Sequence, residues 1–275
     1  MGILVLFAVI LGVVEGITEW LPVSSTGHLI LMNEFMHLEG SFFDSQVFLY
    51  VVQLGAILAI ATLYFHKLNP FAPSKSSAQK KDTWQMWFKV AVACIPAAVL
   101  GLLFNDFMDS VSNGIVVSIM LIVYGIGFMI IEKITPSPKV ERIEQMSYKT
   151  AILIGLFQAL SIVPGTSRSG STILGGILIG TSRSVAAEFS FFLAIPVMFG
   201  VSILKIAASY LDGELMLITS QQWILLAVSM VVSYVVSLLS VKFLVNYVKN
   251  HSFKFFGYYR VVLGIIVLIS FFVFR

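Results

Sequence analysis

Long apolar runs alternate with short polar segments over the whole sequence. A helix that crosses the hydrocarbon core of a bilayer needs about 20 predominantly apolar residues. Six segments meet this requirement, near residues 47–65, 88–104, 114–131, 187–209, 222–241 and 258–274. The pattern therefore predicts an all-α, polytopic membrane protein with six transmembrane helices.

The composition agrees with this pattern. Of the 275 residues, 58% are hydrophobic and 11% are charged, whereas soluble globular domains carry about 25% charged residues. So few charged side chains cannot cover a water-facing surface, and the mean hydropathy of +0.96 favours membrane lipid as the surroundings. A net charge of only +3 argues against nucleic acid as a partner, and the single Cys94 excludes an intrachain disulfide.

The basic residues predict the orientation in the membrane. One side of the six spans carries Lys67, Lys75, Lys80, Lys81, Lys89, Lys133, Lys139, Arg142, Lys149, Arg183, Lys242, Lys249, Lys254 and Arg260. The other side carries Lys205 and Arg275 with Glu34, Glu39, Asp44, Asp106, Asp109, Asp212 and Glu214. By the positive-inside rule the first side is cytoplasmic, so both termini are expected outside. Tyr258 and Tyr259 fall near a span end, where aromatic belts lie, and we assign them no chemistry.

Two segments with polar tips, 2–38 and 150–182, resemble each other at an offset of 143. Gly12 matches Gly155, Glu15 matches Gln158, Ser24 matches Ser167, Gly27 matches Gly170, and Ile30-Leu31 matches Ile173-Leu174. Three predicted spans follow each segment. We interpret the chain as a single membrane domain, 1–275, made of two repeats of about 1–135 and 147–275.

The arm that follows each polar tip is too short to cross the membrane alone. Each segment is therefore predicted to be a re-entrant helix–loop–helix hairpin. Because each repeat has three spans, an odd number, the second repeat is expected to be inverted, so that the two tips meet inside the membrane. Non-helical backbone at that depth is tolerated only where it is buried in protein or lines a wet cavity. The tips are thus the predicted site.

The first tip carries two carboxylates in an apolar setting. Glu15 and Glu19 are four residues apart and would share one face of a helix. Ionisable groups at membrane depth are costly and usually functional. Sharing a proton or binding a divalent cation would relieve the repulsion between them. The alternative is a partly exposed helix end with solvated glutamates.

Pro22 ends the first arm, and hydroxyl groups follow it. Ser24, Ser25, Thr26 and Gly27 would give hydroxyls and free amides at a helix start, which suits an anion. Ser25 and His28 are three residues apart, close enough for a nucleophile and its acid or base. A simple N-cap is the alternative interpretation of this spacing.

The second tip is rich in glycine and hydroxyl groups and contains Arg168. Its spacing resembles a nucleotide P-loop, but the lysine is missing, which argues against ATP or GTP. A glycine-bracketed turn before a helix still suits phosphate, and the arginine fork matches phosphate oxygens. The alternative is a structural pair between Arg168 and Glu15 or Glu19.

Both tips resemble the undecaprenyl-diphosphatase family, also called the bacitracin-resistance protein family. The resemblance rests on the segments 15–19, 21–28 and 164–170 and on the length, span count and duplication. It implies hydrolysis of a C55 isoprenyl diphosphate lipid to the monophosphate at the outer face of the bacterial plasma membrane, which recycles the lipid carrier of peptidoglycan synthesis. It also implies a divalent cation, Mg or Ca, and roles for the residues Glu15, Glu19, Ser25, His28 and Arg168.

The resulting hypothesis places the diphosphate between the tips. The expected substrate-binding residues are Ser24, Thr26, Gly27, Gln158, Gly165, Thr166, Ser167, Ser169 and Gly170. Glu15 and Glu19 are the expected metal ligands, and either Ser25 or His28 is the nucleophile. Inverted repeats with broken helices are also typical of secondary transporters, so a lipid-phosphate transporter or flippase is the alternative function. A homodimer is left open.

Overall fold

The computed structural model describes residues 2–38, 40–111, 113–134 and 137–273. Within these ranges it does not describe the side chains of Glu34, Asn105, Asp106 and Asp109. Glu39 and Arg275, which the orientation argument used together with three of these acidic side chains, also lie outside the described residues.

The described residues are almost entirely helical. They form α1 (Gly2–Thr18), α2 (Ser25–Met36), α3 (Gln46–Leu63), α4 (Phe65–Leu68), α5 (Ser77–Val111), α6 (Gly114–Ile134), α7 (Tyr148–Ala159), α8 (Arg168–Ile179), α9 (Arg183–Leu211), α10 (Ser220–Asn250) and α11 (Lys254–Val273). By length and composition, α3, α5, α6, α9, α10 and α11 can cross a membrane. The six predicted spans are therefore confirmed.

Two of these helices extend well beyond the predicted apolar segments. α5 begins at Ser77 rather than near residue 88, and α10 continues to Asn250 rather than ending near residue 241. Hydropathy marks only the part of a helix that lies in hydrocarbon. Polar residues such as Lys80 and Lys249 continue the same backbone hydrogen bonding beyond it.

Large apolar side chains cover the outside of the long helices. Leu102 is 85% exposed and Leu211 is 82% exposed. A contiguous apolar exterior of this kind is unstable in water. The contact with membrane lipid that the composition predicts is therefore supported by the arrangement of the spans.

The shorter helices occupy the two predicted hairpin segments. α2, α7 and α8 have 12 residues each, which at 1.5 Å per residue gives about 18 Å, less than a hydrocarbon core of about 30 Å. α1 packs along α10, and α7 packs along α5. A Cβ on Gly16 would lie 2.8 Å from the carbonyl oxygen of Ser233, near the middle of α10. A Cβ on Gly155 would lie even closer to the carbonyl oxygen of Ala93, near the middle of α5.

Contacts connect the chain before or at the start of each predicted hairpin segment with the chain after its second helix. Leu4 and Val5 of α1 pack in one apolar cluster with Leu38, which follows α2. In the second hairpin the carbonyl of Gly180, just after α8, accepts hydrogen bonds from the amides of residues 139 and 140, in the segment that leads to α7. These contacts support the hairpin arrangement that the sequence predicts.

α6 and α11 cross at two glycines. A Cβ on Gly125 would lie 2.7 Å from the carbonyl oxygen of Gly257, and a Cβ on Gly257 would lie 2.7 Å from that of Gly125. Only hydrogen fits at either position. The two helix backbones are therefore in contact one turn before Arg260, which α11 carries to the tips.

Candidate active site

The structure brings the tips of the two hairpins into contact. The Ser169 hydroxyl donates to the carbonyl oxygen of Leu21 at 3.2 Å. Nη2 of Arg168 donates to Oε1 of Glu19 at 2.9 Å, and both side chains are nearly buried. Residues 149 positions apart in sequence therefore form one ion pair, with little water to screen it.

Glu19 lies between a hydroxyl and a guanidinium. Its Oε2 accepts a hydrogen bond from Oγ of Ser25 at 3.1 Å, while Oε1 is held by Arg168. Glu15 lies one helical turn earlier and is 6% exposed. Among the described residues, no hydrogen bond joins its carboxylate to a protein donor. The first tip therefore has one neutralised carboxylate and one that lacks a direct partner.

Arg168 is held by further contacts besides its ion pair with Glu19. Nη1 donates to the carbonyl and the hydroxyl of Ser190, at 2.9 and 3.3 Å. Nη2 also contacts Sδ of Met198 at 3.2 Å, and the guanidinium lies 5.4 Å from the ring centre of Trp20. The ion pair between Arg168 and Glu19, which was the alternative interpretation of this arginine, is therefore present. The Nε–H group of Arg168 is buried and has no partner among the described residues.

Ser25 and His28 do not pair with each other. Nδ1 of His28 lies 2.7 Å from the carbonyl oxygen of Ser24, and Nε2 lies 2.6 Å from the hydroxyl of Tyr259. The base nearest to the Ser25 hydroxyl is therefore Glu19. Tyr259, to which we assigned no chemistry, contacts a predicted catalytic residue.

The cap geometry explains which tip amides are free. Ser24 and Ser167 are the N-caps of α2 and α8, and their side chains accept hydrogen bonds from the amides of Gly27 and Gly170. The amides of these two glycines are therefore already used. The first two amides of each helix have no intrahelical acceptor. These belong to residues 25 and 26 at one tip and 168 and 169 at the other.

The other predicted binding residues differ in accessibility. Thr26 is exposed, whereas Thr166 is fully buried and its hydroxyl has no partner among the described residues. Gln158 is also buried, and both atoms of its amide lack such a partner. The Ser167 and Ser169 hydroxyls lie 3.2 Å apart. Gly165 has a φ of 87°, which suits the tight turn before α8.

The structure corrects the placement of Arg260. We grouped it with the cytoplasmic basic residues, but Arg260 is 0% exposed. It donates to the carbonyls of Pro22 at 3.3 Å, Gly165 at 2.9 Å and Thr166 at 3.0 Å. It also lies over the ring of Tyr124. One guanidinium thus holds the turns of both hairpins.

A divalent cation fits the donor set of the first tip. Within the described ranges, no cluster of three His, Cys, Asp or Glu side chains could hold a metal. Mg²⁺, however, is commonly bound by one or two carboxylates together with substrate phosphates. Glu15, whose carboxylate has no donor in the part of the chain that the structure describes, and Glu19 would supply those carboxylates. The metal stays a prediction.

Comparisons with known proteins give a consistent result over almost the whole chain. The family model described as bacitracin resistance protein BacA matches residues 8–266. A protein of Enterococcus faecalis named undecaprenyl-diphosphatase is 55% identical over 264 residues, which is 95% of each chain. A protein of the same name from Streptococcus thermophilus is 57% identical over 95% of this chain and 91% of its own length. Another, from Limosilactobacillus fermentum, is 53% identical over 97% of each chain.

Proposed function

Because the chain belongs to the bacitracin resistance protein BacA family, we propose that it hydrolyses undecaprenyl diphosphate to undecaprenyl phosphate and inorganic phosphate. Similar proteins carry the name undecaprenyl-diphosphatase. The observation that carries the proposal is the hydrogen bond from the Ser25 hydroxyl to Glu19, next to Arg168. A nucleophile, a proton acceptor and a phosphate-binding cation lie together there.

The free amides at the two tips support binding of the diphosphate. Two helix N-termini converge where the hairpins meet, and each offers unpaired N–H groups and the positive end of a helix dipole. The unpaired Nε of Arg168 adds a donor. The isoprenyl tail would lie against the apolar outer surfaces of the helices.

Ser25 is the better placed of the two candidate nucleophiles. Its oxygen attacks the terminal phosphorus, its proton passes to Oε2 of Glu19, and the bond between that phosphorus and the bridging oxygen breaks. Undecaprenyl phosphate leaves. Both ring nitrogens of His28 are engaged by Ser24 and Tyr259, so attack by the imidazole would first require the loss of a hydrogen bond.

Water then releases the second product. Its oxygen bonds to phosphorus as the bond to Ser25 breaks, Glu19 returns its proton to the serine oxygen, and the proton of the water ends on Nε2 of His28. Arg168 stabilises the charge on the phosphoryl oxygens in both steps, which is the main requirement in phosphoryl transfer. A cation held by Glu15 and Glu19 would add positive charge there when bound.

We also propose that the hairpins are re-entrant, that the second repeat is inverted, and that the site opens to the outer face. The helix contacts support a two-fold relation between the halves. α1 packs on α10 as α7 packs on α5, while α6 contacts α11 and α3 contacts α9. The basic residues of segments 66–87, 132–149 and 242–257 support a cytoplasmic location for those loops. Recycling of the lipid carrier outside the cell would follow.

Phosphate release from undecaprenyl diphosphate by the purified protein in detergent tests the function. We expect release by the natural chain and by Ser110→Ala, which changes an exposed serine at the end of α5. Ser25→Ala should reduce release to background. In lipid vesicles that contain the purified protein, movement of a fluorescent lipid phosphate between leaflets without phosphate release would instead favour the transporter alternative. Undiminished release by Ser25→Ala would exclude Ser25 as the nucleophile.

A further inference from the structure

The hydrogen bonds of His28 define its tautomer. The Ser24 carbonyl can only accept, so Nδ1, at 2.7 Å, must carry the proton. A neutral imidazole has one proton, and Nε2 then presents its lone pair to the Tyr259 hydroxyl at 2.6 Å. The imidazole is thus held with Nε2 as a proton acceptor, and the hydroxyl of Tyr259 donates to it.

Contacts at the helix ends position both His28 on α2 and Tyr259 on α11. Ser24 is the N-cap of α2 and is itself fixed by its hydrogen bond to the Gly27 amide. Tyr259 precedes Arg260, whose guanidinium is tied to three tip carbonyls. The two rings lie nearly parallel, with centres 5.6 Å apart. The contact joins α2 to α11 and does not depend on a flexible loop.

The pair is also the more open part of the site. Tyr259 is 40% exposed and His28 is partly exposed, whereas Glu15 and Glu19 are buried. His28 and Ser25 are three residues apart on α2, so they lie on the same face of that helix. Because Glu19 already holds the proton of the serine after the first step, water that attacks the phosphorylated serine needs a second proton acceptor, and the exposed phenol with the imidazole behind it can serve as one.

We propose that Tyr259 relays protons to His28 during hydrolysis of the phosphorylated serine, an inference that rests on the proposed function. The Tyr259 oxygen accepts a proton from the attacking water while its own proton moves to Nε2 of His28. The O–H bond of the water breaks, a new O–H bond forms on the tyrosine, and no charge accumulates on the phenol. A hydroxyl can do this because it is both a donor and an acceptor.

The test compares Tyr259→Phe with Tyr258→Phe. Tyr258 is the neighbouring phenol, is 60% exposed, and makes no hydrogen bond through its hydroxyl within the described ranges. We expect Tyr259→Phe to lower kcat about 100-fold, in the range of general acid–base effects, and to let phosphoserine accumulate at residue 25 from a radiolabelled substrate. Tyr258→Phe should have normal turnover and no accumulation.

A double-mutant cycle separates a relay from a structural contact. In a His28→Gln background, Tyr259→Phe should cause little further loss of kcat, because the tyrosine then has no imidazole to which it can pass its proton. A normal kcat in Tyr259→Phe, a loss that is undiminished in that background, or a loss without accumulation of phosphoserine would overturn the proposal.

A spectroscopic measurement is independent of turnover. In protein labelled with ¹⁵N-histidine, the His28 signals should report the Nδ1–H tautomer in the natural chain and in both variants, because the Ser24 carbonyl holds that proton. The Nε2 resonance should shift in Tyr259→Phe but not in Tyr258→Phe, since its lone pair loses the phenol donor. An unchanged Nε2 resonance in Tyr259→Phe would contradict the proposed contact. Failure of the proposed function itself would be recognised differently, since the natural chain would then release no phosphate at all.

Discussion

Ser24 and Ser167, 143 residues apart, have the same unusual backbone conformation and make the same hydrogen bond. Their φ values are 73° and 70°, in the left-handed region that residues other than glycine rarely enter. Each side chain caps the helix that follows, through the amide three residues later. The hydroxyl and the strained turn occur together at both tips.

This combination predicts an order of stability at these two positions. Substitution of either serine by Ala removes the capping hydrogen bond, which costs about 1 kcal/mol of stability, and leaves the backbone strain in place. Substitution by Gly also removes the cap, but it relieves about 1 kcal/mol or more of that strain. Thermal unfolding in detergent should find the Gly variants clearly more stable than the Ala variants. Ser182 is a matched control, because it caps α9 with an ordinary φ of −64°. An equal difference between Gly and Ala at Ser182 would contradict the role of strain.

Arg168→Lys should lose most of the activity while the protein remains folded. Lysine keeps the charge but cannot contact Glu19 and Ser190 at once, as the guanidinium does. Loss of one charged hydrogen bond costs roughly 1.5–3 kcal/mol, or about 10- to 150-fold in rate. Phosphate release and thermal unfolding, measured on the same preparation, check this. Near-normal turnover would show that Arg168 only balances charge.

Glu15 and Glu19 should act as a unit toward a divalent cation. Each single substitution by Gln should raise the Mg²⁺ or Ca²⁺ concentration needed for half-maximal rate. The double substitution should cost far less than the sum of the two. Metal titration of phosphate release provides the measurement. An unchanged metal requirement in both single variants would remove the cation from the mechanism.

Arg260→Met should destabilise the protein by at least about 2 kcal/mol, because the carbonyls of both turns lose a buried donor. Arg260→Lys should be intermediate, since an ammonium has fewer donors and no planar fork. Thermal unfolding in detergent measures both. Lys242→Met removes an exposed cation from α10 and is the control. If Arg260→Met unfolds like the natural protein, the guanidinium does not hold the hairpins.

Sidedness can be tested with single cysteines in a Cys94→Ala background. An impermeant thiol reagent should label Ser41→Cys in intact cells and Ser77→Cys only after lysis. Ser25→Cys should react slowly from outside, and inorganic diphosphate should protect it. Labelling of Ser77→Cys in intact cells would invert the orientation and exclude an outer-face site.

The sequence predicted what depends on local pattern and missed what depends on distant neighbours. The spans and the two polar tips follow from apolar runs and from residues such as Pro22 and Gly165. The direction of the His28 side chain does not, because it depends on Tyr259, which lies 231 residues away in the chain. Spacing alone suggested a contact between His28 and Ser25, but Glu19 contacts the serine hydroxyl instead.

Arg260 was missed because a cation near the end of an apolar run satisfies the positive-inside rule. A signal was nevertheless present. α11 begins at Lys254, which already marks its basic end, so Arg260 lies more than one turn further into the span. An arginine at such a position usually faces a partner inside the protein. Here the partners are carbonyls of the two turns, which the local sequence pattern did not place next to α11.

The contact between Gly125 and Gly257 has a consequence for genetics. Because the backbones touch there, the crossing fixes the position of α11 along α6. It therefore also fixes the position at which Arg260 contacts the two turns. A methyl group at either glycine would displace the arginine without altering any residue that touches substrate. A screen for loss of phosphate release should therefore recover alanine substitutions at these two positions, although neither glycine has a side chain that could take part in the chemistry.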